Sequence, residues 1–216
     1  MIESSTQKRT VPLPLYRRIN IMTTVRNLSI GEHAIIGDII ADSFADDPVA
    51  LWVFGGQSGI KHYITKIAKK HYLQKGSGYV MDDESGGALW LPPGIKKKLP
   101  LIKSIDIALP MIKHGGFKSI PRGLFVDNAL CHVKPDTPHY FLFAIGTRST
   151  KQGKGIGGKL MEAGLEQVDL AGMPTYLESS KEANIPFYRR YGFEVIERFV
   201  PTKGCPPLWL MWREPR

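Results

Sequence analysis

Thr150 to Leu160 reads T-K-Q-G-K-G-I-G-G-K-L and fits three anion-binding patterns at once. Gly153, Gly155 and Gly158 spell G-x-G-x-x-G, the dinucleotide fingerprint, and Gly153 to Lys159 spells G-x-x-x-x-G-K, a P-loop without its last Ser/Thr. Gln152, Gly155 and Gly157 spell a third, Q-x-x-G-x-G. The physics is common to all three. Glycines let the backbone turn tightly and approach an anion, and the following helix points its free N–H groups and positive dipole end at it. The stretch therefore reads as a phosphate loop, and its surroundings decide which kind.

Working outward, Tyr140 to Thr147 is a continuous apolar run that reads as a strand before the loop, and Gly158 to Leu170 carries Leu160, Met161, Leu165 and Val168 at helical spacing after it. Thr175 to Ser179 reads as the next strand, Asn184 to Tyr191 as a short helix, and Phe193 to Phe199 and Leu208 to Trp212 as the last two strands. Upstream, Thr23 to Asn27 reads as a short strand. Ser29 then offers an N-cap to a helix over Gly31 to Ala45, which ends at the break Asp46-Asp47-Pro48. A second helix follows over Ile60 to Gln74. Gly78 to Met81 and Ala88 to Leu91 form a hairpin around the turn Asp82 to Gly87. Residues 94–138 read as a lobe of two or three helices, with breaks at Gly115-Gly116 and Pro121.

This order decides against two of the patterns. A dinucleotide fold needs its loop near the start of a long series of alternating strands and helices, whereas fewer than 60 residues follow Gly158. A P-loop needs a hydroxyl after its lysine to hold Mg²⁺, and Lys159 is followed by Leu160.

Composition bounds the rest. The chain has 216 residues, 43% of them hydrophobic, which suits one domain with a sizeable core. Lys and Arg number 29 against 20 for Asp and Glu, but the charge is scattered and its densest run, Lys96-Lys97-Lys98, reads as a solvated loop. Nucleic acid is not the expected partner. No apolar run reaches the ~18 residues of a membrane span, and Cys131 and Cys205 have neither metal-ligand nor disulfide-scaffold spacing, which suits a soluble protein of the reducing cytoplasm. The six histidines make no metal-binding pair. Residues 1–21 lack any sustained period and read as a flexible extension, so the domain spans 22–216.

The third pattern has independent support. Glu182 to Phe193, E-A-N-I-P-F-Y-R-R-Y-G-F, places Asn184 and Tyr188 on one helical face ahead of a glycine turn into a strand. With the apolar strand, Q-G-K-G-I-G and the C-terminal strand pair, the chain resembles the GNAT N-acetyltransferase superfamily from about Thr23 to Arg213, most specifically from His139. Y-L-E-S-S, N-I-P-F-Y-R-R-Y-G-F, P-P-L-W-L-M-W-R-E-P-R, F-A-D-D-P and A-L-W-L-P-P-G further resemble the branch that contains puromycin N-acetyltransferase.

The resemblance implies an α+β acyl-CoA N-acyltransferase fold, with a mixed, mostly antiparallel sheet of six to seven strands and helices on both faces. It implies direct transfer from acetyl-CoA to a small-molecule amine, without a metal, by a monomer or homodimer. Acetyl-CoA would lie where two strands splay, its pantetheine paired with Ala144, Ile145, Gly146 and Thr147. Its pyrophosphate would rest on Gln152, Gly153, Lys154, Gly155, Ile156, Gly157 and Gly158. Tyr188 would protonate the departing thiolate, Glu178 would accept the ammonium proton, and Asn184 would hydrogen-bond the cofactor. Asp46 and Asp47 would border the acceptor, with Trp52 and Trp90 as pocket walls. A protein or peptide amine, or a non-catalytic acyl-CoA sensor, are the alternatives. A chain starting at Met22 is expected to bind acetyl-CoA and to unfold at the same temperature as the full chain; aggregation of that truncated chain would show the extension to be structural.

Overall fold

The structure, a computed structural model, describes residues 24–97 and 105–216. The extension read at 1–21, and Lys98 of the lysine run, lie outside the described residues. Short, largely apolar runs buried on both faces set the middle of the sheet. β1 (Val25–Asn27), β2 (Ser77–Met81), β3 (Gly86–Leu91), β4 (Tyr140–Thr147), β5 (Thr175–Ser179), β6 (Glu194–Phe199) and β7 (Leu208–Arg213) form one seven-stranded sheet in the order β1-β2-β3-β4-β5-β7-β6. Its neighbours are antiparallel except β4 and β5, which run parallel. This is the mixed, mostly antiparallel sheet expected.

Alternation along the strands gives the sheet two apolar faces. Leu89, Leu91, Phe141, Tyr176, Leu208 and Leu210 face one core, against α1 (His33–Ser43), α2 (Pro48–Phe54), α3 (Gln57–Ile67), α5 (Ile105–Gly115) and α6 (Ser119–Val133). Ala88, Trp90, Leu142, Leu177, Trp209 and Met211 face the other, against α7 (Ile156–Leu170) and α8 (Ile185–Arg189). Ile36, Ile39 and Ile40 of α1 are fully buried at the spacing that puts three side chains on one helical face. The second face is pinned at its edge by Arg213, which makes a bidentate pair with Asp169 of α7 at 2.7 and 2.9 Å.

Three local expectations fail, each for a physical reason. Asp46-Asp47-Pro48 does not simply end a helix. The Asp47 carboxylate accepts from the Ala50 N–H at 2.8 Å and Pro48 occupies the first turn, so the same residues start α2. The helix expected over Ile60 to Gln74 begins at Gln57 and widens into a π turn at Ala68–Tyr72 before the short α4 (Leu73–Lys75). A regular helix turns adjacent residues apart; the wider turn buries both His71 and Tyr72. Pro121, read as a break, lies in the first turn of α6, where its missing N–H costs nothing.

Trp90 points from β3 into α7 and is 2% exposed. An added Cβ at Gly164 of α7 would stand 2.3 Å from its ring. Gly164→Ala gains up to about 1 kcal/mol of helix propensity, against about 1–3 kcal/mol for overpacking a dense core. We expect a net loss, read as a lower urea midpoint at unchanged slope; an equal or higher midpoint would show that the indole has room to retreat.

Candidate active site

β4 and β5 pair over only three positions, Tyr140↔Thr175, Phe141↔Tyr176 and Leu142↔Leu177. Beyond Leu142 they part. The cause is visible on the other side of β4, where Trp90 opposes Leu142 but Leu89 opposes Ala144, leaving Phe143 as an extra residue. The bulge turns Phe143 and Ala144 toward the same core, and Tyr72 stacks on Phe143 with ring centroids 4.3 Å apart. Each strand keeps its outer partner past this point: β4 stays on β3 to Thr147, and Glu178 and Ser179 stay on Leu210 and Trp209 of β7. The gap opens into a cleft of about 940 Å³.

The glycine loop closes one end of the cleft. At the end of β4, the Thr147 N–H donates to the Ser43 hydroxyl at 3.2 Å and the Ser149 N–H to the Asp42 carboxylate at 2.7 Å, so the end of α1 fixes where the loop begins. Gly153 and Gly155 have φ of +75° and +76°, left-handed backbone in which a Cβ is strained, and Gly155 is the N-cap of α7. The first helical bond runs from the Lys159 N–H to the Gly155 carbonyl, which leaves the N–H groups of Ile156, Gly157 and Gly158 without helical partners. A Cβ at Gly157 would stand 3.5 Å from the Phe187 ring, within ordinary contact. Ala144 to Thr147, Gln152, Gly153, Gly155, Ile156, Gly157, Gly158 and Asn184 all line the cleft; Lys154 does not.

The polar side chains gather at the parting itself. Tyr188 of α8 is buried, lines the cleft, and makes no side-chain hydrogen bond to the described residues. Burial, then the negative charge of Asp47, push its phenol above the ordinary value near 10. Asp47, 4% exposed, accepts from the Ser180 hydroxyl with one oxygen while capping α2 with the other. The helix cap is what carries this carboxylate to the cleft. Asp46 lies at the exposed rim, where the Lys181 ammonium, hydrogen-bonded to it, holds its carboxyl below the usual range. Glu178 pairs with Lys97 and faces the cleft from the end of β5.

The two tryptophans are not part of this arrangement. Trp90 is the core residue under α7, and Trp52 packs beneath the Arg122 guanidinium, 4.6 Å from its ring centroid; neither lines the cleft. Conversely, Ser180 and Lys97 carry no local signal of a site, and Lys97 sits in a run with the composition of a solvated loop. Beneath α5 and α6 lies a second, smaller cavity of about 170 Å³, which shares Phe44, Asp47, Phe143, Ala144, Glu178 and Ser180 with the cleft. No group of three or more His, Cys, Asp or Glu among the described residues is placed to hold a metal. No helix among them is long and apolar enough to cross a membrane.

Comparison with known proteins agrees with this geometry. The chain is similar to an uncharacterized N-acetyltransferase of Schizosaccharomyces pombe, with 27% identity over 201 positions that cover 82% of this chain and 77% of the relative. Among solved structures it is similar to a Corynebacterium glutamicum protein described as histone acetyltransferase HPA2 and related acetyltransferase. The TM-score is 0.67 at 23% identity, over 90% of this chain and 97% of that one. It also resembles the PaiA N-acetyltransferase of Thermoplasma acidophilum, solved in complex with coenzyme A, with a TM-score of 0.51 at 13% identity over 90% and 99% of the two chains. Residues 124–195, which hold β4, the glycine loop, α7, β5 and α8, match the family model described as the acetyltransferase (GNAT) domain. By these likenesses the chain is similar to acyl-CoA-dependent acetyltransferases of the GNAT type, and the segment that matches the family model is the one that builds the cleft.

Proposed function

We propose that this enzyme moves an acetyl group from acetyl-CoA directly to the primary amine of a small molecule. The parting of β4 from β5 carries the donor half of the reading. Strands that diverge leave backbone N–H and C=O groups needing partners, and the amides of pantetheine supply them as a substitute strand along Ala144 to Thr147. The pyrophosphate then meets the N–H groups from Gln152 to Gly158. A Cβ at Gly153 or Gly155 would meet no atom within 4 Å, so this backbone is open to an anion. Asn184, at the entry to α8, holds the cofactor from the opposite wall.

At the parting, the amine nitrogen attacks the thioester carbonyl carbon. The C–N bond forms, the C–S bond breaks, and a strand N–H of β4 stabilises the charge gathering on oxygen. Glu178 takes the proton that the ammonium must lose, directly or through water, and Lys97 fixes its carboxylate at the strand end. Tyr188 supplies the proton to the thiolate and is restored by the second proton, which the nitrogen sheds as the amide forms. Asp47 and Asp46 present negative charge to an approaching cation. The cavity beneath α5 and α6 favours a small acceptor over a protein, because it is small, mostly apolar and adjoins the transfer point. The likeness to the puromycin-modifying branch supports the same choice.

Two measurements test this reading. Gly157→Glu places a carboxylate where the pyrophosphate would lie, and calorimetric titration is expected to show acetyl-CoA binding abolished while Gly157→Ala, which fits beside Phe187, retains it. Unchanged affinity in the glutamate variant would remove the phosphate site from the loop. Tyr188→Phe deletes one hydroxyl and keeps the ring. A phenol more basic than the thiolate gives up its proton uphill, so the loss in kcat is expected near the low end for a general acid, about 10²-fold, with acetyl-CoA affinity unchanged. The raised phenol stays protonated through its ordinary titration range, so wild-type kcat should show no alkaline fall from this group below about pH 10. Full kcat in the phenylalanine variant, with chemistry rate-limiting, would leave Tyr188 a packing residue.

A further inference from the structure

We infer that the acceptor is a monoamine carrying one compact apolar group, a single ring or a branched aliphatic chain, which enters the cavity beneath α5 and α6. The inference rests on the acetyl-transfer reading and narrows its acceptor. The cavity is walled by apolar side chains from six elements, among them Val53 of α2, Ile60 and Ile64 of α3, Met111 of α5, and Leu130 of α6. Its volume, about 170 Å³, is close to that of an apolar cavity of about 150 Å³ that stays dry and holds a benzene ring. That leaves space for a ring or a branched chain and not for both.

The mouth of this cavity is where the polar groups stand. The residues it shares with the cleft include Asp47, Glu178 and Ser180, so a ligand with its apolar part inside has its other end at the point where β4 and β5 part. A short apolar amine spans that distance with its nitrogen beside the two carboxylates. The other charged groups of the wall speak against a second cation on the ligand. Lys97 faces the cavity and already pairs with Glu178, and Asp127 of α6 is engaged within the protein. An ammonium carried deeper would exchange its water for a mainly apolar wall whose one further carboxylate, Asp127, already has interactions of its own, which is costly. Polyamines and lysine-like acceptors are therefore disfavoured, whereas burying an apolar group is rewarded.

Gly123 of α6 makes the idea testable. It lines the cavity, and a Cβ there would stand 3.3 Å from the Met111 methyl and 3.4 Å from Val53, so a longer side chain must occupy the chamber. The experiment follows CoA-thiol release by the full chain with 2-phenylethylamine, 3-methylbutylamine, methylamine, spermidine and a short peptide as acceptors, and with acetyl-CoA or hexanoyl-CoA as donor. The first two amines should exceed methylamine in kcat/KM by about 10- to 100-fold, the worth of burying one such group. Gly123→Leu should remove most of that advantage while acetyl-CoA affinity, read by calorimetry, is kept; should it fail to fold, Gly123→Ala and the wild-type series still decide.

A preference for spermidine or the peptide, or equal rates for methylamine and 2-phenylethylamine, would overturn the acceptor class and leave acetyl transfer standing. Hexanoyl-CoA outperforming acetyl-CoA, with the gain lost in Gly123→Leu, would assign the chamber to the acyl chain instead. Acetyl-CoA binding with no amine acetylated from a broad panel would defeat the amine-transfer reading itself, and the inference with it.

Discussion

The structure depends on one discontinuity, the parting of β4 from β5 after Leu142 and Leu177. A sheet gains by pairing every backbone group it can, so two adjacent parallel strands that stop pairing need something to hold them apart. Here the restraint comes from both sides. The bulge at Phe143 bends β4 away, with Tyr72 stacked on the extra ring, while β3 and β7 keep the outer edges of the two strands satisfied. The cost is confined to the inner edges, which a cofactor with amides of its own can pair. The π turn that presents Tyr72 to Phe143, far from the glycine loop in sequence, is therefore part of what keeps the cleft open.

The same parting explains why structural and chemical roles fall on the same residues. Asp47 caps α2 and holds Ser180, which joins the start of one helix to the end of β5 across the gap. Its charge in turn helps keep the Tyr188 phenol protonated. Glu178 and Lys97 likewise form an ion pair at the end of a strand with no inner neighbour. An ammonium arriving there meets carboxylates already fixed by helix capping and ion pairing, so little side-chain freedom is lost on binding. The geometry would be hard to keep if these groups served chemistry alone.

Much of this fold was legible because it is written in local patterns. The continuous apolar run Tyr140 to Thr147 located β4, and glycines flanked by that strand and an amphipathic helix located the loop. What escaped was set by contact between distant segments. Nothing in A-D-D-P distinguishes a helix stop from a cap that starts the next helix, and a single bulged residue inside F-L-F-A leaves no trace in periodicity. Trp90 and Trp52 were expected in the acceptor wall because large flat rings suit it, but Gly164 leaves a place for one indole under α7 and Arg122 covers the other.

Donor and acceptor recognition differ in kind, and this is why the sequence speaks of one and not the other. In the proposed reading the donor is held by backbone: strand edges and helix N–H groups that any side chain leaves in place, provided glycines allow close approach. Glycine spacing is conspicuous in a sequence, so the donor site can be read from it. In the proposed reading the acceptor is held by side chains that α2, α3, α5 and α6 bring together around a small apolar chamber, and each of those residues taken singly is an ordinary core residue. Only the join of that chamber to the polar groups at the parting gives them a different meaning. A change in the helical lobe can therefore alter the acceptor while the sheet, the loop and the donor chemistry stay as they are.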